Sequence, residues 1–142
     1  MTPILDKPTK QQVFDHVAAH LLAQDCKSEF YLTEVTKHPT CAYRGNNGMK
    51  CAAGCLIADE LYTPAMEGHA VGHVNEAYET PIHAAIEASL GYAPHQLPFD
   101  TWMMIRELQS LHDAFEPSFW LTALVDLAAR HGVTFTPPAA QE

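Results

Sequence analysis

Cys51 is the residue of this 142-residue chain best suited to nucleophilic chemistry. It follows a Gly-rich turn and Lys50, at what reads as the start of a helix, where backbone N–H groups and the positive end of the dipole lower a thiol pKa. His112 offers an imidazole as its base, with Asp113 or Asp126 to orient the ring. Those are the roles that a thiol-dependent hydrolase requires. Adjacent residues on a helix point about 100° apart, so Asp113 is poorly placed to hold its own neighbour. The competing reading is a buried structural thiol beside a helix-surface histidine.

A second constellation suits a metal ion, zinc above all: Cys41, Cys51 and Cys55 with one or more of His38, His69 and His73. Cys51-x3-Cys55 and His69-x3-His73 each set two ligands on one face of a helix, and Glu76 follows on the same side. The closely spaced C-x2-C pairs of structural zinc are absent, and Gly68 and Gly72 weaken the helix that the two histidines need. Free cysteine is among the most buried residue types, which makes the core the alternative home for these thiols.

Tyr43, Arg44 and Lys50 form one basic spot in an otherwise acidic chain. A guanidinium among carboxylates finds a carboxylate, so Arg44 is expected to pair with Asp59 or Glu60 and pin its segment to the one that follows. The net charge of −9 is uneven: residues 1–50 carry +1 and residues 51–142 carry −10. Between Cys51 and Ile105 there is no Lys or Arg, while Asp59, Glu60, Glu67, Glu76, Glu79, Glu87 and Asp100 accumulate. Such a surface repels phosphate backbones and suits a basic protein partner, or serves only to keep the chain in solution. Nine histidines lie among these charges, and protonation below about pH 6.5 would offset part of them.

These groups need elements to hold them. Thr9 with Gln12 three residues on is a capping box, followed by Val13, Val17 and Leu21 as an apolar stripe, which predicts a helix from about Lys10 to Gln24 with His16 and His20 on its polar edge. Phe30, Leu32 and Val35, then Cys41 to Arg44, suggest two short strands, with Gly45-Asn46-Asn47-Gly48 as a turn. The Ala and Leu content of Lys50 to Leu61 favours a short helix. Thr63-Pro64 and Thr80-Pro81 open further helices, the second running from Pro81 to Leu90 and stopped by Gly91. Asp100 caps a helix bearing Trp102, Ile105, Leu108 and Leu111, and Glu116-Pro117 opens another, bearing Trp120, Leu121, Leu124, Val125, Leu127 and Ala128, that Gly132 ends; the pair is expected to form a helical hairpin supplying much of the core. The expected fold is mainly α with some β: a single helical domain over 1–136, a small β-hairpin near residues 30–50, and a frayed tail over 137–142.

The densest run of unusual residues is Cys41-x-Tyr43-Arg44-Gly45, Gly48-x-Lys50-Cys51-Ala52-x-Gly54, Leu56-Ile57-x-Asp59-Glu60-x-Tyr62 and Glu67-Gly68, with Leu108-Gln109-Ser110-Leu111-His112-Asp113 later. This resembles a signature of small uncharacterised proteins of phages and their bacterial hosts, and covers about half the chain. The resemblance implies a phage or prophage setting and no assigned activity.

No stretch approaches the roughly twenty apolar residues of a membrane helix, and the N-terminus lacks the apolar run of a secretory signal, so the expected compartment is the cytoplasm with its thiols reduced. The leading expectation is a non-enzymatic phage-associated accessory protein that binds a host protein with a basic surface and inhibits a host nucleic-acid-handling protein. Its binding residues would be Tyr43, Arg44, Lys50, Asp59, Glu60, Glu67, Glu76 and Glu79, with no cofactor, no direct nucleic-acid contact and no membrane. The alternatives are the hydrolase of Cys51, His112 and Asp113, and a small metal-binding protein using Cys41, Cys51, Cys55, His69 and His73.

Overall fold

The Thr9 hydroxyl accepts the Gln12 backbone N–H (3.2 Å) while the Gln12 side chain accepts the Thr9 N–H (2.8 Å), so the capping box forms and starts helix α1, Lys10–Gln24. Its stripe of Val13, Phe14, Val17, Ala18 and Leu21 is buried, and Asp25 ends it in the left-handed region. The computed structural model describes residues 2–30, 40–67 and 81–137. Within them the fold is mainly helical, with four α-helices: α1, α2 (Pro81–Ser89), α3 (Phe99–Ala114) and α4 (Trp120–His131).

Helix α4 buries Trp120, Leu124, Leu127 and Ala128 and stops at Gly132, whose φ of 68° suits a residue without Cβ. Helices α1, α3 and α4 pack on one another around Phe14, Leu21, Ile105, Leu108 and Trp120. Helix α2 is apolar almost all round, so it is an interior helix. The N-terminal segment straps across its end, with Ile4 N–H donating to Ser89 O and Lys7 N–H to Leu90 O.

Four expectations change. The hairpin does not form as an element: pairing is limited to two residues a side, Glu29–Phe30 (β1) against Thr40–Cys41 (β2), antiparallel, and Asn46–Gly48 is a 3-10 turn that joins no strands. The intervening residues 31–39 lie outside the described ones. The helix expected over Lys50 to Leu61 is instead a loop with two single 3-10 turns, Gly54–Leu56 and Asp59–Leu61. Thr63-Pro64 likewise opens only a 3-10 turn, Pro64–Met66. Asp100 is not a cap either, since Pro98 holds the cap position of α3 without a side-chain bond.

Candidate functional site

The residues of the signature converge on the segment from Cys51 to Ala58, which is buried at every position without being an α-helix. A buried loop leaves backbone groups that helix and sheet would have satisfied, and each must find another partner. Side chains from distant elements supply them. Arg44 Nη1 donates to Gly54 O and Arg44 Nη2 to Ile57 O, both at 2.7 Å. On α1, His16 Nε2 meets Cys55 O (3.2 Å) and His20 Nε2 meets Lys50 O (2.7 Å), so both rings carry the proton on Nε2 and donate it. The Ala53 N–H donates to Gln109 Oε1 and the Ala58 N–H to Ser89 Oγ.

Arg44 itself is held by a second ring of contacts. Asp59 accepts from Nη2 at 3.0 Å, and the guanidinium carbon lies 5.0 Å from the centre of the Tyr62 ring. Lys50 adds a 3.4 Å contact to the same Asp59 oxygen, so the two cations hold that carboxyl below its usual range, Lys50 having the larger effect. Glu67 accepts the backbone N–H groups of Tyr43 (2.9 Å) and Arg44 (3.0 Å) and the Tyr62 hydroxyl (2.6 Å). Partial burial, aided by Glu67, pushes the Tyr62 hydroxyl up to about 12. Gly54 is required by contact: a Cβ there would lie 2.3 Å from the Tyr43 carbonyl oxygen. The expected pair of Arg44 with Asp59 therefore exists, but it pins a buried loop rather than a hairpin.

Cys51 does not sit at a helix N-terminus, because no α-helix begins there. Its thiol is buried, its sulfur accepts the Gly54 N–H at 3.3 Å, and desolvation pushes its pKa up, the reverse of what an activated nucleophile needs. His112 is fully buried and stacked on Trp120 with ring centres 5.4 Å apart. The Ser28 backbone N–H donates to His112 Nε2 (3.0 Å), so the proton resides on Nδ1 and is donated to Asp113 (2.8 Å). Asp113 thus does hold its neighbour, contrary to the helical-spacing argument, because its side chain folds back against the ring instead of projecting radially. The lone pair that a base would use is taken by Ser28. Asp126 is engaged elsewhere, with Arg130. The hydrolase machinery is therefore not assembled.

The metal set is not assembled either among the described residues, where no three His, Cys, Asp or Glu side chains are placed to hold an ion. Cys51 and Cys55 do not share a helical face, since their segment is a loop. The Cys55 thiol donates to Ala52 O at 3.1 Å, and burial pushes its pKa up to about 12, which keeps it protonated and a poor ligand. His69 and His73, with Glu76 and Glu79 of the binding set, lie outside the described residues, as does the Cys41 side chain.

The acidic stretch is not one open face. Asp59 is paired, Glu67 caps backbone N–H groups, and Glu87 is buried on α2. Of that run, Asp59, Glu60 and Asp100 are exposed, Asp59 beside Arg44 and Lys50 and Asp100 3.4 Å from Lys10 Nζ. Two features escaped the sequence reading. One is the polar group His83, Glu87 and Trp102, buried where α2 meets α3; the signal was the i, i+4 spacing of His83 and Glu87 in an otherwise apolar segment. The other is the corner joining α3 to α4, where Phe115, Phe119, Leu121 and Val125 are 46, 60, 40 and 47% exposed, so that Leu121 and Val125, expected in the core, lie on the outer face of α4 instead. Beside it a groove of about 330 Å³ runs between α3 and α4, with an apolar floor of Leu111, Ala114, Phe115, Ala123 and Leu127 and a polar edge of Glu107, Ser110, Asp126 and Arg130. Asp113 and Glu116 border the corner, with Lys27 Nζ 3.9 Å from Glu116, and Glu107 and Asp126 share the guanidinium of Arg130, Glu107 also meeting His131.

No helix among the described residues is long and apolar enough to cross a membrane. Comparison of the chain with protein-family models, with curated proteins and with solved structures finds no match.

Proposed function

We propose that this chain is a non-catalytic accessory protein of the cytoplasm, in the phage or prophage setting that its signature suggests, and that it acts by binding another protein. The recognition surface is the α3–α4 corner rather than the acidic stretch as a whole. One observation carries this reading: four large apolar side chains stand exposed between positions 115 and 125, next to a groove that pairs apolar residues with Glu107, Asp126 and Arg130. Soluble domains rarely display such clusters without a use for them, and aromatic side chains are the common anchors of interfaces.

Charge selects the partner. Carboxylates rim the corner, two of them sharing one arginine, and the chain as a whole carries −9. The partner is accordingly a protein segment that offers apolar side chains flanked by Lys or Arg. A basic surface of that kind is what nucleic-acid-handling proteins present, and occupying it would inhibit them. Direct contact of this chain with nucleic acid is disfavoured by the same charge.

A photo-crosslinking residue at position 119, compared with one at position 60 in the acidic stretch, tests the reading in bacterial lysate. The expected result is a discrete adduct from position 119 that weakens with salt and disappears when Phe115→Ser is added. An adduct from position 60 alone would return recognition to the acidic stretch, and none from either would end the proposal.

A further inference from the structure

Helix α2 carries His83 and Glu87 one turn apart, hence on one face, and both are buried. Glu87 is 1% exposed. One of its oxygens accepts the Leu97 N–H at 3.3 Å, while Oε1 has no hydrogen-bond partner among the described residues. Trp102 of α3 is equally buried, and its indole Nε1–H is in the same position. Both side chains belong to the region where α2 meets the start of α3. Leu97 fixes the Glu87 carboxyl against the chain that opens α3, the Trp102 N–H closes the first turn of that helix on Pro98 O, and the Trp102 ring lies 4.8 Å from the ring of His83, Glu87's neighbour on α2.

A buried donor and a buried acceptor that do not meet each other are costly, and native proteins resolve such cases. We propose that the α2–α3 seam is a binding site for one water-sized hydroxylic ligand, water itself, that accepts from Trp102 Nε1–H and donates to Glu87 Oε1. The pair of groups defines the chemistry. A metal cation would face the indole proton, an anion would face the carboxylate, and an apolar guest would satisfy neither. A hydroxyl group both accepts and donates, and buried waters characteristically join two to four polar groups that lack other partners. Held in this way, the ligand joins an interior helix to α3 and is part of the packing of the fold.

The test uses the intact, isotope-labelled chain. Rotating-frame cross-peaks between water and the two indole N–H groups are recorded, and dipolar contact is separated from chemical exchange by sign. Trp102 should show a dipolar cross-peak to a long-lived water. Trp120, whose Nε1–H donates to Phe115 O at 3.0 Å, is the internal control and should show none. Glu87→Gln keeps an acceptor and should keep the peak, whereas Glu87→Leu should reduce it at least several-fold with the Trp120 signal unmoved. A Trp102 indole without the dipolar peak in the unaltered chain overturns the proposal, whether or not the variants fold.

Discussion

The loop from Cys51 to Ala58 and the corner from Phe115 to Val125 are both short on regular backbone structure at their start, and they meet opposite fates. In the loop, polar backbone groups are buried, and side chains arriving from α1, α2, α3 and Arg44 satisfy them. In the corner, backbone groups are served locally and apolar side chains are left in water. The first arrangement spends its chemistry on holding the fold. Residues that look reactive by type, Cys51 and His112 among them, are neutralised there by burial and by neighbours. The second has no reactive residue and yet carries what a partner can grip. Unusual residue types marked the structural region, while common ones marked the candidate interface.

The contrast breaks most easily at Arg44. Arg44→Ala leaves the Gly54 and Ile57 carbonyls unserved, and a cost of about 3–5 kcal/mol is expected from denaturant unfolding, as for a partly buried charge network losing one member. Arg44→Lys should recover less than half of it, because a single ammonium cannot reach Gly54 O, Ile57 O and Asp59 together. A loss within 0.5 kcal/mol for the alanine variant would show that the loop does not depend on this guanidinium. Gly54→Ala belongs to the same class, since its Cβ would collide with the Tyr43 carbonyl. Glu67→Gln is milder: one oxygen remains for the backbone N–H groups, and about 1–2 kcal/mol is expected.

Titration sharpens the same comparison, because the loop and the α1 face packed on it bury ionisable groups in altered states. Cys55 is raised from 9.0 to about 12, so the unfolded chain gives up this proton first. Stability from this group is present below pH 9 and lost as the pH rises above it toward 12. His20 is lowered from 6.5 by burial, so the unfolded chain takes up its proton first, and stability falls as the pH drops below 6.5. The corresponding measurement is denaturant stability across pH with Cys55→Ala and His20→Gln, each of which should flatten one limb. Thiol reagents should likewise modify half-buried Cys26 readily at neutral pH, and Cys51 and Cys55 only as fast as the chain opens. Rapid native-state labelling of Cys51 would revive the hydrolase reading.

The reach of each interaction explains what the sequence disclosed. Helix α1 was legible to the residue because its capping box and stripe are local chemistry, and α2 was legible from Pro81 at its start and Gly91 beyond its end; Gly132 marks the end of α4, but Glu116-Pro117 opens a 3-10 turn, Pro117–Phe119, and α4 begins only at Trp120. The stretch after Lys50 was misread as helix because its Ala and Leu content is a local argument, whereas what decides its shape is Arg44 ten residues back and Gln109 more than fifty ahead. The ion pair of Arg44 with Asp59 could be named from charge alone, but its purpose could not. Neither sequence reading of His112, as a base or as a helix-surface ring, anticipates its burial, because nothing local reveals that the Ser28 N–H arrives at its ring. The acidic stretch was counted as one face because charge counting has no direction, and it missed that Glu87 points inward.

The smallest expected effect on stability is the most informative about the corner. Leu121 and Val125 stand one turn apart on the outside of α4, opposite the stripe of Trp120, Leu124 and Leu127 that holds the helix down. Phe119 precedes them at the end of a 3-10 turn and is the most exposed of the four. Exposed side chains that contribute to folding are rare, so Phe119→Ser and Val125→Ser should each leave unfolding free energy within about 0.5 kcal/mol. Burial at an interface reverses that accounting, and loss of an aromatic anchor should weaken partner capture at least tenfold, which corresponds to about 1.4 kcal/mol. Near-neutral stability with lost capture separates recognition from folding. If instead Phe119→Ser destabilises the chain by more than about 1 kcal/mol, the ring is packed in solution and the corner belongs, like the loop, to the machinery of the fold.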